Sequence, residues 1–213
     1  MDMNERMVVF INSMDRGHTP FLEDLYSRAI RDHVPVIRRE MQSFLRTLLA
    51  MRRPENILEI GTAVGFSAIL MAAYDPVPCR IVTIENYDKR IPEARENIRQ
   101  SGFEKQITIL EGDAAVRLRE LSDPFDFIFL DAAKGQYIHF LPDLLRLMRP
   151  GSILLADNVL QGGDILESRF IVERRNRTIH RRMRDFLFAL KKDPGLETSV
   201  LPIADGAALA VKK

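Results

Sequence analysis

The feature that most constrains the fold of this chain is an apolar run followed by two closely spaced glycines. It reads Asn56-Ile-Leu-Glu-Ile-Gly-Thr-Ala-Val-Gly-Phe-Ser67, which predicts a short strand, a turn and the start of a helix. A second apolar run ends at Glu85, 24 residues after Gly61 (85 − 61). In such β-α-β units the glycines let the backbone approach a ligand, and the acid accepts hydrogen bonds from ribose hydroxyls. The pattern therefore predicts a nucleoside-cofactor site.

The glycine turn favours a cofactor without a diphosphate. Only Gly61 and Gly65 are present, so the G-x-G-x-x-G pattern of dinucleotide sites is absent. No basic residue in the turn offers a partner for a pyrophosphate, and the carboxylate of Glu59 would repel one. S-adenosylmethionine is the cofactor that these residues favour.

Strand and helix patterns alternate through the middle of the chain. The predicted strands cover residues 56–60, 80–84, 107–110, 125–130 and 152–156, and the predicted helices cover residues 65–74, 89–101, 114–121 and 137–147. This alternation predicts a parallel sheet with helices on both faces and ligands at the carboxyl ends of the strands.

The two ends of the chain differ from this middle part. Two helices are expected from about residue 19 to 51, where Thr19-Pro20 is a helix-start signal. A helix over 178–190 precedes two strands, 197–203 and 207–211, around the turn Ala204-Asp205-Gly206. We therefore predict one α/β domain over residues 1–213, with a helical N-terminal part (1–54) and a Rossmann-like core (55–213). The core is a doubly wound, seven-stranded sheet ending in an antiparallel hairpin.

Composition excludes several classes of protein. One cysteine, Cys79, excludes an internal disulfide and fits a reducing compartment. No apolar run is long enough to span a membrane, and the first residues do not form a signal peptide. We expect a cytoplasmic protein with no membrane partner.

The basic residues are concentrated in two segments. The net charge is +1, but residues 28–53 contain seven Arg against two acids, and residues 169–184 contain seven Arg against Glu173 alone. The planar guanidinium suits phosphate groups, so the segments favour a phosphate-bearing partner. Solvated helix faces are the alternative interpretation for any single arginine.

A second group of polar residues follows the fourth and fifth strands. Asp131 ends one strand and Asp157-Asn158 end the next, so two carboxylates and an amide oxygen are expected to converge. Oxygen ligands of this kind suit Mg²⁺ or another divalent cation. Lys134 lies on the turn after Asp131, and a lysine beside a cation gives up its proton more easily, which suits a general base. Each residue alone could be a helix cap or a solvated turn residue.

These motifs resemble the class I, cation-dependent O-methyltransferases of the catechol and caffeoyl-CoA type. The resemblance covers roughly residues 20–213 and rests on LEIGTAVGFS, TIEN, EGDA, FLDAAKGQY, LLADNVL and LPIADGAALAVKK. It implies S-adenosylmethionine as cofactor, Mg²⁺ held by Asp131, Asp157 and Asn158, and catalysis by Lys134 with Asp131. The cofactor-binding residues that it implies are Glu59, Gly61, Ser67, Glu85, Asp113, Ala114 and Asp131. Met41 departs from the family pattern, which often has Gly before the residue matching Gln42.

The bacterial tRNA 5-hydroxyuridine methyltransferases resemble the chain most closely within that family, because they too carry an Arg-rich segment after the metal-binding Asp-Asn. The resemblance implies a tRNA anticodon as substrate and a homodimer. The arginines expected to bind RNA are Arg174, Arg175, Arg177, Arg181, Arg182 and Arg184.

Three alternatives stay open at the level of sequence. The first is a small-molecule catechol or caffeoyl-CoA-type O-methyltransferase, which would use the same chemistry. The second is a nucleotide-cofactor oxidoreductase, disfavoured by the missing third glycine. The third is a non-catalytic binding module, disfavoured because Asp131, Lys134, Asp157 and Asn158 are all present.

Overall fold

A seven-stranded sheet forms the centre of the protein. The computed structural model describes residues 3–168 and 170–213, so Arg169 of the second Arg-rich segment lies outside the described residues. The strand order is β3-β2-β1-β4-β5-β7-β6; β1 to β5 are parallel, and β7 runs antiparallel to both β5 and β6. The strands are β1 (Asn56–Ile60), β2 (Arg80–Glu85), β3 (Ile107–Glu111), β4 (Phe125–Leu130), β5 (Met148–Ala156), β6 (Leu196–Leu201) and β7 (Ala207–Lys212).

Helices cover both faces of the sheet, and the predicted fold class is confirmed. They are α1 (Met3–Ser13), α2 (Pro20–Arg31), α3 (Arg39–Arg52), α4 (Phe66–Tyr74), α5 (Ile91–Ser101), α6 (Ala114–Glu120), α7 (Tyr137–Leu147) and α8 (Arg177–Lys192). Short 3-10 segments occupy Lys134–Gln136, Gln161–Leu166 and Arg174–Asn176. No helix of the described residues is long and apolar enough to cross a membrane.

Burial explains why the central strands form. Every residue of β4 is buried, as expected for a parallel strand with helices on both faces. One apolar cluster on the sheet includes Leu130, Tyr137 and Phe186, and the other includes Leu45 and Phe127. The two clusters correspond to the helical layers on either side, so the carboxyl ends of the parallel strands are held rigidly.

The ends of some elements differ from the prediction. β5 begins at Met148, four residues before the predicted 152, and Met148 pairs with Phe125 before a register shift. Pro150-Gly151 signals a turn in the sequence, and Gly151 does have a positive φ of 82°, yet the strand continues through it. The helix α1 precedes the region in which individual helices were predicted.

Candidate functional site

A central cavity of about 550 Å³ lies at the carboxyl ends of the parallel strands. The backbone ladder continues one residue beyond the strands, because Asp131 N–H donates to Ile60 O and Asp157 N–H donates to Leu130 O, both at 3.0 Å. The lining includes most of the residues predicted to bind the cofactor, namely Gly61, Ser67, Glu85, Asp113, Ala114 and Asp131.

Gly61 allows β1 and β4 to approach each other at the cavity floor. Its φ is 105°, in the left-handed region that favours glycine, and a Cβ there would lie 2.0 Å from Asp131 O. A side chain at this position would displace the backbone that carries Asp131. The first glycine of the motif is therefore required by the contact between these two strand ends.

Glu85 and Asp113 both face the cavity and both organise the backbone. Glu85 Oε2 accepts the Ala63 N–H at 2.8 Å, and Oε1 accepts the N–H groups of Asn86 and Tyr87 at 2.9 Å. Asp113 caps α6 by accepting the Ala115 N–H at 2.7 Å. Glu85 thereby fixes the glycine turn after β1 to the end of β2.

Glu59 is not brought into the cavity. Its side chain is fully buried behind the turn, where Thr83 Oγ1 donates to Oε2 at 2.5 Å and shares a 2.6 Å hydrogen bond with Thr62 Oγ1. The other carboxylate oxygen has no hydrogen-bond partner among the described residues. Burial raises the pKa of Glu59 to about 7, and the hydrogen bond from Thr83 only partly opposes this.

Glu59→Gln is expected to make the protein more stable at alkaline pH. Because the folded-state pKa lies above the ordinary 4.5, folded Glu59 holds a proton that the unfolded chain releases. Its contribution to stability therefore falls as the pH rises from about 4.5 through about 7, by on the order of 2–3 kcal/mol. Urea unfolding at pH 5 and pH 8.5 measures this. An equal pH dependence in the Gln variant would contradict the assignment.

The predicted metal residues lie together. Asn158 Nδ2 donates to Asp131 Oδ1 at 3.1 Å, and Asp157 Oδ1 accepts the Asn158 N–H at 2.6 Å. Asn158 has a positive φ of 62°, a conformation that costs energy in a residue other than glycine. Burial raises the pKa values of Asp131 and Asp157 well above their ordinary range, and the charge of Asp131 further raises that of Asp157.

The chemistry of these donors fits a hard divalent cation. No group of three or more His, Cys, Asp and Glu side chains suited to a metal occurs in the described part of the chain. The predicted set instead supplies two carboxylates and an amide, all of them oxygen ligands. Two buried carboxylates that disfavour each other's ionisation form a site that a cation would stabilise.

Tyr137 holds the ends of β4 and β5 together and was not predicted as a site residue. Its hydroxyl is fully buried within hydrogen-bond distance of Leu130 O (3.3 Å) and Asp157 O (3.1 Å). Burial raises its pKa well above 10. The neighbouring 3-10 segment presents Lys134 to the central cavity, beside Asp131.

A smaller side cavity of about 200 Å³ adjoins the central one. The two cavities share residues 35–37, Asp131 and Asn158, whereas Asp157 lines only the side cavity among the lining residues described. Its other walls come from residues 35–38, before α3, and from Ala204-Asp205, in the hairpin turn. Sequence reasoning missed both walls as parts of the site, because it interpreted Ala204-Asp205 only as a hairpin turn and assigned no role to residues 35–38.

Comparisons with known proteins agree with this geometry. A sequence profile of a family described as O-methyltransferase matches residues 12–213. The chain belongs to the O-methyltransferase family.

Individual relatives are similar over most of their length. The chain is 34% identical over 179 residues to a catechol O-methyltransferase of Niastella koreensis, and the match covers 80% of this chain and 79% of that one. It is 31% identical over 180 residues to caffeoyl-CoA O-methyltransferase 2 of Populus trichocarpa, covering 78% and 70%. The crystal structure of an O-methyltransferase from Bacillus cereus in complex with SAH superimposes with a TM-score of 0.86 at 26% identity, covering 98% and 97%.

In this O-methyltransferase, Gln42 supports the segment that precedes α3. Its side chain is fully buried, donates from Nε2 to Ile37 O at 2.6 Å and pairs through Oε1 with His18 Nε2 at 2.7 Å. The preceding Met41 is also fully buried. Gln42 therefore fixes the segment that walls both cavities.

The arginines predicted to bind RNA divide into two groups. Arg177, Arg182 and Arg184 donate to backbone carbonyls, and Arg182 Nη1 contacts Gly135 O at 3.2 Å, next to Lys134. Arg175 is 81% exposed in its side chain and pairs with Glu173, while Arg174 and Arg181 are exposed. RNA binding by this surface stays a prediction.

Glu85→Ala is expected to weaken binding of S-adenosylmethionine by about 1–3 kcal/mol, the usual cost of leaving polar partners unsatisfied. Calorimetric titration measures the affinity. The matched control is Glu111→Ala at the end of β3, which pairs in register with Glu85 but is bound to Arg95. Unchanged affinity in the Glu85 variant would remove the ribose assignment.

Proposed function

We propose that the protein transfers a methyl group from S-adenosylmethionine to one hydroxyl of a vicinal oxygen pair, with a divalent cation bound at Asp131, Asp157 and Asn158. The observation that carries this proposal is the meeting of two cavities at Asp131 and Asn158. The central cavity offers the features expected for an adenosyl cofactor, and the side cavity adds the second carboxylate, Asp157. Donor and acceptor would therefore meet beside Lys134.

The residues divide the chemistry between them. Asp131, Asp157 and Asn158 would hold a divalent cation, which would supply the Lewis acidity that makes the acceptor hydroxyl easier to deprotonate. Lys134 Nζ would accept the hydroxyl proton as the O–CH₃ bond forms and the S–CH₃ bond breaks, giving a methyl ether and S-adenosylhomocysteine. The rigid strand ends would hold the oxygen in line with the methyl group, since positioning supplies much of the acceleration.

A small catechol-type acceptor is the substrate class that the relatives support. The two curated relatives described above are named for catechol and for caffeoyl-CoA. The side cavity has room for a single substituted ring, and its buried oxygen ligands suit two adjacent ring oxygens.

5-Hydroxyuridine in a tRNA anticodon is the second candidate, with 5-methoxyuridine as product. Its O5 and O4 form a similar oxygen pair, and an unstacked anticodon base needs no extraction from a duplex. Its support is the exposed arginines Arg174, Arg175 and Arg181, the last of which lies on α8, a helix that packs against the 3-10 segment carrying Lys134. Such a surface would bind RNA phosphates with an affinity that falls with salt.

Methyl-labelled S-adenosylmethionine distinguishes the two candidates. Purified protein with Mg²⁺ is offered a catechol and, separately, tRNA that contains 5-hydroxyuridine. Label in the catechol alone supports the small-molecule function, and label in tRNA that is reduced by Arg174→Glu/Arg175→Glu supports the RNA function. Label in neither acceptor would contradict the proposed function.

The homodimer also remains a proposal. The helix α1 exposes several large apolar side chains, including Met7, Val9, Phe10 and Ile11, and Met14 just after it is exposed too. Such a surface supports association through the N-terminal helix. Sedimentation equilibrium tests it, and a monomer at micromolar concentration would contradict it.

A further inference from the structure

The outer edge of the side cavity carries an ion pair between opposite ends of the chain. Arg38 Nη2, just before α3, lies 3.0 Å from Asp205 Oδ2 in the turn between β6 and β7. Both residues line the cavity that contains Asp131, Asp157 and Asn158. A ligand that fills this cavity and reaches these oxygen ligands would therefore lie close to the pair.

Hydrogen bonds to backbone carbonyl groups fix both walls of the cavity. On one side, Gln42 Nε2 donates to Ile37 O at 2.6 Å. On the other, the N–H groups of Val159 and Leu160 donate to Gly206 O and Asp205 O at 2.9 Å. Gly206 has a φ of 89°, and a Cβ there would lie 2.3 Å from Leu160. The fold therefore positions the backbones of Arg38 and Asp205. Their ion pair does not depend on a chance meeting of two mobile segments.

Arg38 has unused hydrogen-bonding capacity. Its side chain is 59% exposed, whereas that of Asp205 is 24% exposed. Among the described residues, its guanidinium forms an ion pair with Asp205 alone. A guanidinium has five N–H donors in a planar fork, so a second anionic group can bind beside Asp205.

The charges of the cavity restrict where such a group could lie. Three carboxylates line it, Asp131, Asp157 and Asp205, and Arg38 is the one cationic residue in the described lining. A ring whose vicinal oxygens faced Asp131 and Asp157 would direct its remaining substituents toward the mouth. An anionic substituent there would be repelled by Asp205 unless Arg38 bound it.

We propose that Arg38 is a specificity residue that selects acceptors carrying a carboxylate or phosphate on the ring-bearing fragment, with Asp205 holding its guanidinium at the cavity mouth. The inference rests on the proposed function, because it assigns the side cavity to the methyl acceptor. The group that Arg38 would recognise is an anion on the acceptor, outside the vicinal oxygen pair. A benzoate carboxylate and a nucleotide phosphate are the two sources of that chemistry.

Two acceptor pairs test the inference and separate its sources. The first pair is catechol and 3,4-dihydroxybenzoate, and the second is 5-hydroxyuridine and its 5′-monophosphate. Calorimetric binding in the presence of Mg²⁺ and S-adenosylhomocysteine, together with KM, is measured for the wild type, Arg38→Gln, Arg38→Lys and Asp205→Asn. The matched control is Arg53→Gln, at the other end of α3.

Arg38→Gln is expected to weaken binding of the anionic member of a pair about tenfold, as the loss of one charge-assisted hydrogen bond predicts, and to leave the neutral member within about twofold. Arg38→Lys should recover part of the loss, and Asp205→Asn should tighten binding of the anionic member by removing a repulsive charge. The responding pair identifies a carboxylate or a phosphate as the anion. Thermal unfolding shows whether each variant is folded.

Three results would overturn the inference: equal effects on both members of each pair, no effect of Arg38→Gln, or a wild type that binds neither anionic acceptor. Equal effects would make the ion pair a purely structural link. Selective binding without methyl transfer to any acceptor would instead refute the proposed function and leave the selectivity of Arg38 intact.

Discussion

Asp157→Ala is expected to lower kcat/KM for methyl transfer by at least about 10²-fold while leaving the affinity for S-adenosylmethionine unchanged. Asp157 supplies a carboxylate to the side cavity but is not among the residues that line the central cavity. The substitution therefore removes a cation ligand without touching the expected cofactor contacts. Initial rates with labelled cofactor and calorimetric cofactor titration give the two readouts.

The controls separate loss of the cation site from misfolding. Asp143→Ala removes a carboxylate that pairs with Arg146 on α7, away from both cavities, and should keep near wild-type activity. Asp157→Asn keeps the side-chain shape and should lose activity with little change in the unfolding temperature. Full activity in either Asp157 variant would remove the assignment of this carboxylate to the cation.

Lys134→Gln is expected to lower kcat by about 10²–10³-fold, the usual contribution of a positioned general base, with a smaller effect on cofactor affinity. Lys134 lines the central cavity and lies close enough to Asp131 to influence that carboxylate. Single-turnover rates with a catechol acceptor measure the chemical step, apart from product release.

Lys134→Arg distinguishes a base from a fixed positive charge. Arginine keeps the charge but stays protonated, so it cannot accept the hydroxyl proton. If Lys134 is the base, the Arg variant should be as slow as the Gln variant. An Arg variant with nearly full activity would show that only the charge matters. Lys105→Met, an exposed lysine before β3, is the matched control.

Among the strands, those that sequence predicted best are the ones that are buried along almost their whole length. β1 and β4 have the predicted bounds because continuous apolar runs end abruptly at a glycine or an acid. The convergence of Asp131, Asp157 and Asn158 also followed from the sequence, since the carboxyl ends of neighbouring parallel strands share one edge of the sheet. Their order along the chain was sufficient to predict their proximity.

Other parts of the site depend on contacts that no local pattern carries. Glu59 lies in a strand covered on both faces, so its motif could not show whether the carboxylate faced the ligand or the Thr62–Thr83 pair. The Arg38–Asp205 pair joins segments that are far apart in the chain and meet only after the sheet forms. Likewise, the arginine count did not reveal that Arg177, Arg182 and Arg184 bind backbone carbonyls.

The most direct test of the central claim is the cation dependence of methyl transfer. Metal-free protein is mixed with labelled S-adenosylmethionine and a catechol acceptor, first with EDTA and then with Mg²⁺ in excess. We expect transfer to be lost with EDTA and restored by Mg²⁺ in the wild type but not in Asp157→Ala. Undiminished transfer in EDTA would contradict a reaction that depends on a cation held by Asp131, Asp157 and Asn158.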